Sequence, residues 1–210
     1  MVEMASDLEK FVRFCESDFG KRVLEREVEY IRQELEGYHA ILDIGCGIGS
    51  FEQKLPYLDI VGLDNSKEML EEAKKRSNKT FVFGNAENLD FEDSSFDAVF
   101  YAATLEFLTD YQKAIQEAWR VTKPNGKLLV MMLNPESEYF QEHMQRDDSY
   151  FRKVRHANLG EMRDYISKFY QIVKEEYFLG IKRQEVFDTS DKRFASLYVI
   201  IGKKVVGGGG

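Results

Sequence analysis

Ile41-Leu42-Asp43-Ile44-Gly45-Cys46-Gly47-Ile48-Gly49-Ser50 is the stretch on which the reading of this chain turns. A short apolar run ends in three glycines at alternate positions, the pattern of a strand that empties into a tight turn. Glycines there open backbone conformations closed to other residues and let a ligand lie directly on the main chain. By position this is a nucleotide-type site at the carboxyl end of a strand. A dinucleotide fingerprint spaces its glycines G-x-G-x-x-G, whereas here the third falls at Gly49 and Ser50 takes its place. Asp43 stands two residues before the first glycine, where a carboxylate would repel a pyrophosphate and suit a cationic group.

Downstream, short apolar segments alternate with amphipathic ones, as in a parallel sheet covered on both faces. The spacing predicts strands over Ala40 to Ile44, Ile60 to Leu63, Thr80 to Phe83, Phe96 to Ala102 and Lys127 to Leu133. Asp64, nineteen residues after Gly45, closes the second strand, where its two oxygens can accept both hydroxyls of a ribose. Gly84-Asn85-Ala86-Glu87 follows the third strand and offers an amide to a purine edge. Ser66 opens a helix, and Thr109-Asp110-Tyr111-Gln112 has the spacing of a capping box. The helix after it ends before the turn Pro124-Asn125-Gly126.

Upstream, Leu24, Val28, Ile31 and Leu35 recur at helical spacing with Gly37 as the stop. Leu8, Phe11, Val12 and Cys15 mark an earlier helix broken near Ser17 to Gly20. Ser137 to His156 is polar, aromatic and charged, and reads as an insert over the core. A helix capped at Asn158 and two strands near Gln171 to Leu179 and Phe194 to Ile201 complete the chain. Gly207 to Gly210 is a low-complexity tail expected to be flexible.

The composition narrows the classes. With 210 residues, 43% hydrophobic and 31% charged, the chain can bury a core as one domain. Twenty-nine basic against 37 acidic residues give a net charge of −8, which argues against a nucleic-acid partner. Two cysteines and three histidines without metal-ligand spacing exclude a zinc mechanism. No apolar run approaches the roughly 18 residues of a membrane span, and the acidic start MVEMASDLEK does not read as a signal peptide. The expected location is therefore cytoplasmic, with no membrane partner.

Four motifs in order, LDIGCGIG, VGLD, GNAENLDFEDSSFDAVF and EAWRVTKPNGKLL, make the chain resemble the class I S-adenosylmethionine-dependent methyltransferases, in particular the ubiquinone/menaquinone-biosynthesis-like (methyltransferase type 11) group. The resemblance covers residues 38–134. It implies an α/β, doubly wound, Rossmann-like sheet of seven strands, mainly parallel with an antiparallel last strand. N-terminal helices over 1–37 and an insert over 137–158 would form a lid. The last helix and strand hairpin would fill 159–204, within one domain spanning 1–206.

Under the same resemblance the cofactor is S-adenosyl-L-methionine, leaving as S-adenosyl-L-homocysteine. Asp43, Gly45, Cys46, Gly47 and Gly49 would hold its methionine part, Asp64 its ribose, and Asn85 with Ala86 its adenine. Asn65 and Glu87 complete that set, and Ala102 with Ala103 would line the methionine side. Two departures stand out: the adenine position often holds aspartate and here is Asn85, and Thr104-Leu105-Glu106-Phe107 replaces a histidine-rich segment.

The sulfonium activates the methyl group, so transfer is an in-line displacement that chiefly needs an aligned acceptor and no obligatory side chain. Glu106, Tyr101, His143 and His156 are the groups to examine as bases, each more simply structural. Lys21 or Arg22 could meet the cofactor carboxylate, or be exposed helix residues. The aromatics Phe11, Phe14, Phe19, Tyr139, Phe140, Tyr150 and Phe151 could wall an acceptor pocket, most of them simply packing the added helices. Arg146, Arg152, Lys153 and Arg155, interrupted by Asp147 and Asp148, read as a solvated face.

The expected activity is methyl transfer to a small-molecule acceptor, by a monomer or homodimer. The alternatives are a methyltransferase of protein or RNA, a non-catalytic S-adenosylmethionine-binding protein and, more distantly, a nicotinamide oxidoreductase.

Overall fold

The computed structural model describes residues 6–205. Met1–Ala5 and the glycine tail lie outside them, as does residue 206 at the end of the expected domain. Two helices come first, α1 (Asp7–Glu16) and α2 (Asp18–Leu35). Ser17 ends one and caps the other: its N–H donates back to Arg13 and Phe14, while its hydroxyl accepts from Gly20 N–H at 2.9 Å. A single serine thus makes the corner.

The alternating region follows as β1 (Ile41–Ile44), α3 (Ser50–Lys54), β2 (Ile60–Asp64), α4 (Lys67–Arg76), β3 (Thr80–Phe83), β4 (Phe96–Ala102), a 3-10 turn (Leu105–Phe107), α5 (Tyr111–Val121) and β5 (Thr122–Leu133). Then come α6 (Glu138–Met144), a second 3-10 turn (Tyr150–Lys153), α7 (Leu159–Ile166), β6 (Tyr170–Lys182), β7 (Glu185–Phe187) and β8 (Ala195–Lys204). The strands form one sheet in the order β3-β2-β1-β4-β5-β8-β6-β7. β1 to β5 pair in parallel, and β8 enters antiparallel between β5 and β6. The doubly wound, mainly parallel sheet is as expected, with eight strands rather than seven. The extra one, β7, is three residues long and folds back on β6 through Arg183 and Gln184, both at positive φ.

Two further expectations need correction. Asp110, not Thr109, caps α5, its carboxylate accepting from Lys113 N–H at 3.1 Å. Asp110 is fixed there because its own N–H donates to Glu87 Oε1 at 2.8 Å. The turn at Pro124-Asn125-Gly126 lies inside β5 as a bulge, because Phe96 pairs with Thr122 while Ala98 already pairs with Lys127. Proline and a left-handed Asn125 (φ 61°) are accommodated where pairing lapses.

Each face of the sheet carries its own core. Leu42, Ile44, Val99, Tyr101, Leu128 and Val130 meet the inner stripe of α5 (Ala114, Ile115, Ala118) on one side. Ile41, Phe100, Leu129 and Met131 meet α2 through Val23, Ile31 and Leu35 on the other. With both faces buried the strands must read as continuous apolar runs, as they do. Asp43, two residues after Ile41, therefore lies on the α2 and α3 side of a fully buried strand.

Candidate functional site

The strand order reverses between β1 and β4, which opens a crevice at their carboxyl ends. The glycine turn fills one side of it. Gly45, Gly47 and Gly49 all adopt positive φ (86°, 53° and 70°), so the glycine requirement is met at all three. Gly45 and Cys46 donate N–H groups to Leu63 O at 2.7 and 3.0 Å, tying the turn to the end of β2. A Cβ on Gly45 would lie 2.3 Å from the Thr104 side chain, which places the segment after β4 directly against the turn. Ala102 and Ala103 (φ 47°) lead into that contact, half-buried.

Asp64 sits where the sequence put it, at the end of β2 beside the turn. Its Oδ2 accepts from Gly47 N–H at 2.9 Å and its Oδ1 from Ser66 N–H at 2.8 Å. Each oxygen retains a second lone pair, so the carboxylate can brace the glycine turn and still accept from a hydroxyl. Burial raises its proton affinity, opposed by these backbone donors. Asn65, next along, is exposed.

The loop after β3 is arranged differently from the simplest expectation. Asn85 is exposed, and its Oδ1 accepts from Glu87 N–H at 2.9 Å, leaving the amide nitrogen without a protein acceptor among the described residues. Ala86 is buried against the core. Glu87 braces the loop to α5 through Asp110 N–H. Its carboxylate is therefore a strut, and Asn85 offers a donor more readily than an acceptor.

Asp43 is 1% exposed and neither of its carboxylate oxygens has a hydrogen-bond partner among the described residues. So is a residue the sequence reading missed: Glu52 on α3 is 0% exposed and both its oxygens are also without a partner. Gly62 pairs with Asp43 across β1 and β2, and a Cβ on it would fall 2.7 Å from Glu52 Oε1 and 2.9 Å from Cys46 Sγ. The bare glycine leaves the room into which Glu52 descends beside Asp43. Burial first, and then the Glu52 charge, holds the Asp43 carboxyl well above the usual carboxylate range; burial raises Glu52 too. A single charged residue on a five-residue helix gave no signal in the sequence.

α1 and the insert close over this region. The Phe11 ring lies 3.4 Å from where a Gly47 Cβ would be, and the Cys15 thiol lies against Ser50. Lys153 pairs with Asp7, and Lys10 Nζ donates to Asp148 O at 3.2 Å. An aromatic chain runs Phe14, Phe19, Tyr139, Phe151, Phe140 with ring centroids 5.4–6.0 Å apart, while Tyr150 stacks on Phe107 at 4.9 Å. Arg22 turns away and donates to Gln184 O, and Lys21 is exposed, so neither reaches the glycine turn. The basic residues of the insert are exposed, with Arg152 and Lys153 paired to Asp147 and Asp7.

Of the four groups considered as bases, Tyr101 is fully buried and donates to Ala114 O at 2.9 Å, on the face of β4 that packs against α5. His143 Nδ1 lies 2.9 Å from Tyr139 O with its ring packed on Tyr139 and Phe151, and burial lowers its proton affinity. His156 Nε2 meets Leu108 O at 3.0 Å. Glu106 differs: one oxygen accepts from Leu133 N–H at 2.8 Å, the other has no partner, and burial pushes the carboxyl up to about 7. Among the described residues no group of three or more His, Cys, Asp or Glu could hold a metal ion, and no helix is long and apolar enough to cross a membrane.

A doubly wound sheet with a glycine turn after β1 and a carboxylate closing β2 defines a Rossmann-like protein built for a nucleotide-bearing cofactor. Comparison with known proteins narrows this. Residues 42–130 match the family described as "Methyltransferase domain". The chain is 35% identical over 125 residues to a demethylmenaquinone methyltransferase of Thermotoga maritima, spanning 57% of this chain but only 52% of that one. It is 31% identical over 192 residues to the ubiquinone/menaquinone biosynthesis C-methyltransferase UbiE of Rickettsia bellii, covering 83% of this chain and 72% of that protein. A crystal structure of a SAM-dependent methyltransferase from Thermotoga maritima, a possible histamine N-methyltransferase, shares the fold with a TM-score of 0.79 at 24% identity, over 94% of this chain and 96% of that one. The chain belongs to the S-adenosylmethionine-dependent methyltransferases.

The residues present fit that cofactor. A glycine turn without side chains, roofed only by the half-exposed Phe11 ring, the buried Asp43 carboxyl behind it and an Asp64 carboxylate with spare lone pairs suit a ligand with a cationic amino-acid end and a ribose.

Proposed function

We propose that this chain is an enzyme that transfers a methyl group from S-adenosylmethionine to a small-molecule acceptor, releasing S-adenosylhomocysteine. The observation that carries the cofactor reading is the buried, donorless carboxylate of Asp43 directly behind the glycine turn at the strand reversal. With the Glu52 carboxyl packed beside it, any ionisation there places negative charge out of reach of water, so a cationic ligand end is its natural complement. Asp43 with the turn from Gly45 to Gly49 would take the methionine end, Asp64 the ribose hydroxyls, and the Asn85 amide with Ala86 the adenine. Asn65, Glu87 and Ala102 would frame the pocket.

Bound there, S-adenosylmethionine supplies a methyl group already activated by its sulfonium. The chain's own work is then positional. The glycine turn and Asp64 fix one reactant while α1 and the insert exclude water and align the other. Glu106, held near neutrality by burial, is the group best tuned to accept a proton should the acceptor carry one.

A small acceptor is supported by the segments that lie over the crevice, with Phe11 against the glycine turn and α1 tied to the insert by Lys153 to Asp7 and Lys10 to Asp148. The quinone-directed names of the two relatives point the same way. The test is incubation with methyl-labelled S-adenosylmethionine and a cell extract, with the label followed into separate fractions. Label in the small-molecule fraction is expected. Label in protein or RNA would overturn the acceptor class, and cofactor binding with no transfer to any fraction would make the chain a binder.

A further inference from the structure

Glu52 is the least expected group near the site. It is fully buried on α3, in the space that Gly62 leaves open beside Asp43, and the four oxygens of the two carboxyls have no donor among the described residues. Two carboxyls buried side by side cannot both ionise without a counter-charge. The titratable groups facing the pair are few. Asp64 at the end of β2 adds negative charge, the Cys46 thiol is held protonated by burial and these same carboxylates, and Lys79, whose ammonium donates to Leu58 O, is the cation whose charge reaches Glu52.

Resting on the reading that this site binds S-adenosylmethionine, we propose that Asp43 and Glu52 act as one proton-sharing pair, which gives one proton to solvent when the ammonium end of the cofactor docks against it. The remaining proton bridges the two carboxyls, so that Glu52 holds the Asp43 carboxylate in place. Glu52 is thereby a positioning residue: it acts on the ligand through Asp43. No bond other than those to protons changes, and the departing proton is taken up by buffer.

The sign follows from linkage. Raised carboxyls are protonated in the free protein below the pair's first ionisation, and the ligand binds the singly ionised form. Affinity therefore weakens as pH falls, by up to about tenfold per pH unit, and levels off above that ionisation.

The test uses the full chain and S-adenosylhomocysteine, which carries the same ammonium end and cannot turn over. Titration calorimetry at about pH 6, where a free α-amino group is already protonated, is run in two buffers of different ionisation enthalpy. The expected result is release approaching one proton per site. Glu52→Gln, whose amide can donate to Asp43 without a titrating proton, should release less and bind more tightly than the native chain at the same pH. Binding with a buffer-independent enthalpy in the native chain overturns the proposal without needing the variant, as does undiminished release in a folded Glu52→Gln. Absence of any S-adenosylhomocysteine binding would instead overturn the reading of the site itself.

Discussion

At the scale of single residues, the crevice is governed by carboxyls kept from water. Glu106 is 1% exposed, and burial pushes it up to about 7, above the usual carboxylate range. Because its proton is held more tightly in the folded state than in the unfolded one, its contribution to stability is complete below the unfolded value and is lost as pH rises through about 7. Glu106→Gln should therefore match the native chain at about pH 4 and exceed it by up to about 3 kcal/mol at about pH 8, as read from denaturant unfolding at both pH values. Parallel pH profiles for the two proteins would contradict the burial argument. Residue by residue, Asp43 and Asp64 were legible because each ends a strand next to glycines. Glu52 was not, since one charged residue on a short helix carries no periodic signal, and its burial depends on the absent side chain of Gly62 across the sheet.

Among the elements, the most demanding connection is the one that fixes the loop between β3 and β4. Arg120 on α5 donates to Phe91 O and Leu89 O and pairs with Asp93 and Glu117, while Glu117 accepts from Leu89 N–H at 2.8 Å. This guanidinium fork holds the segment that follows Asn85 and Ala86. Arg120→Ala should cost about 1–3 kcal/mol of stability and weaken cofactor binding, and Arg120→Lys should rescue little of either, because one ammonium cannot span the same set of acceptors. Thermal unfolding and ligand titration of both variants check this; full rescue by lysine would show that charge alone matters. Apart from the start of β5, the strands of the parallel half were readable to within a residue or two, since both faces of the central strands are buried and α4 and α5 carry apolar stripes. β7 and the bulge inside β5 were not, because three residues offer no pattern and a proline turn reads as a break in pairing wherever it falls.

For the whole molecule, the decisive feature is that the crevice at the carboxyl ends of the parallel strands is roofed by two segments distant in sequence, α1 and the insert. Phe11 is 39% exposed even though its ring edge covers Gly47, so α1 is only partly anchored over the glycine turn. A ligand filling the space between them would add contacts to α1 and lower the population of its open states. Limited proteolysis near Ser17 should accordingly slow when S-adenosylhomocysteine is present, with peptide masses locating the cut; equal rates would mean that α1 takes no part in holding the cofactor. Where the cofactor lies is tested most directly by a crystal structure of the chain grown with S-adenosylhomocysteine. The arrangement predicts ribose hydroxyls within hydrogen-bond distance of Asp64, the ammonium end behind the Gly45 to Gly49 turn at Asp43, and the adenine beside Asn85. A ligand bound elsewhere, or turned so that its ribose misses Asp64, would contradict it.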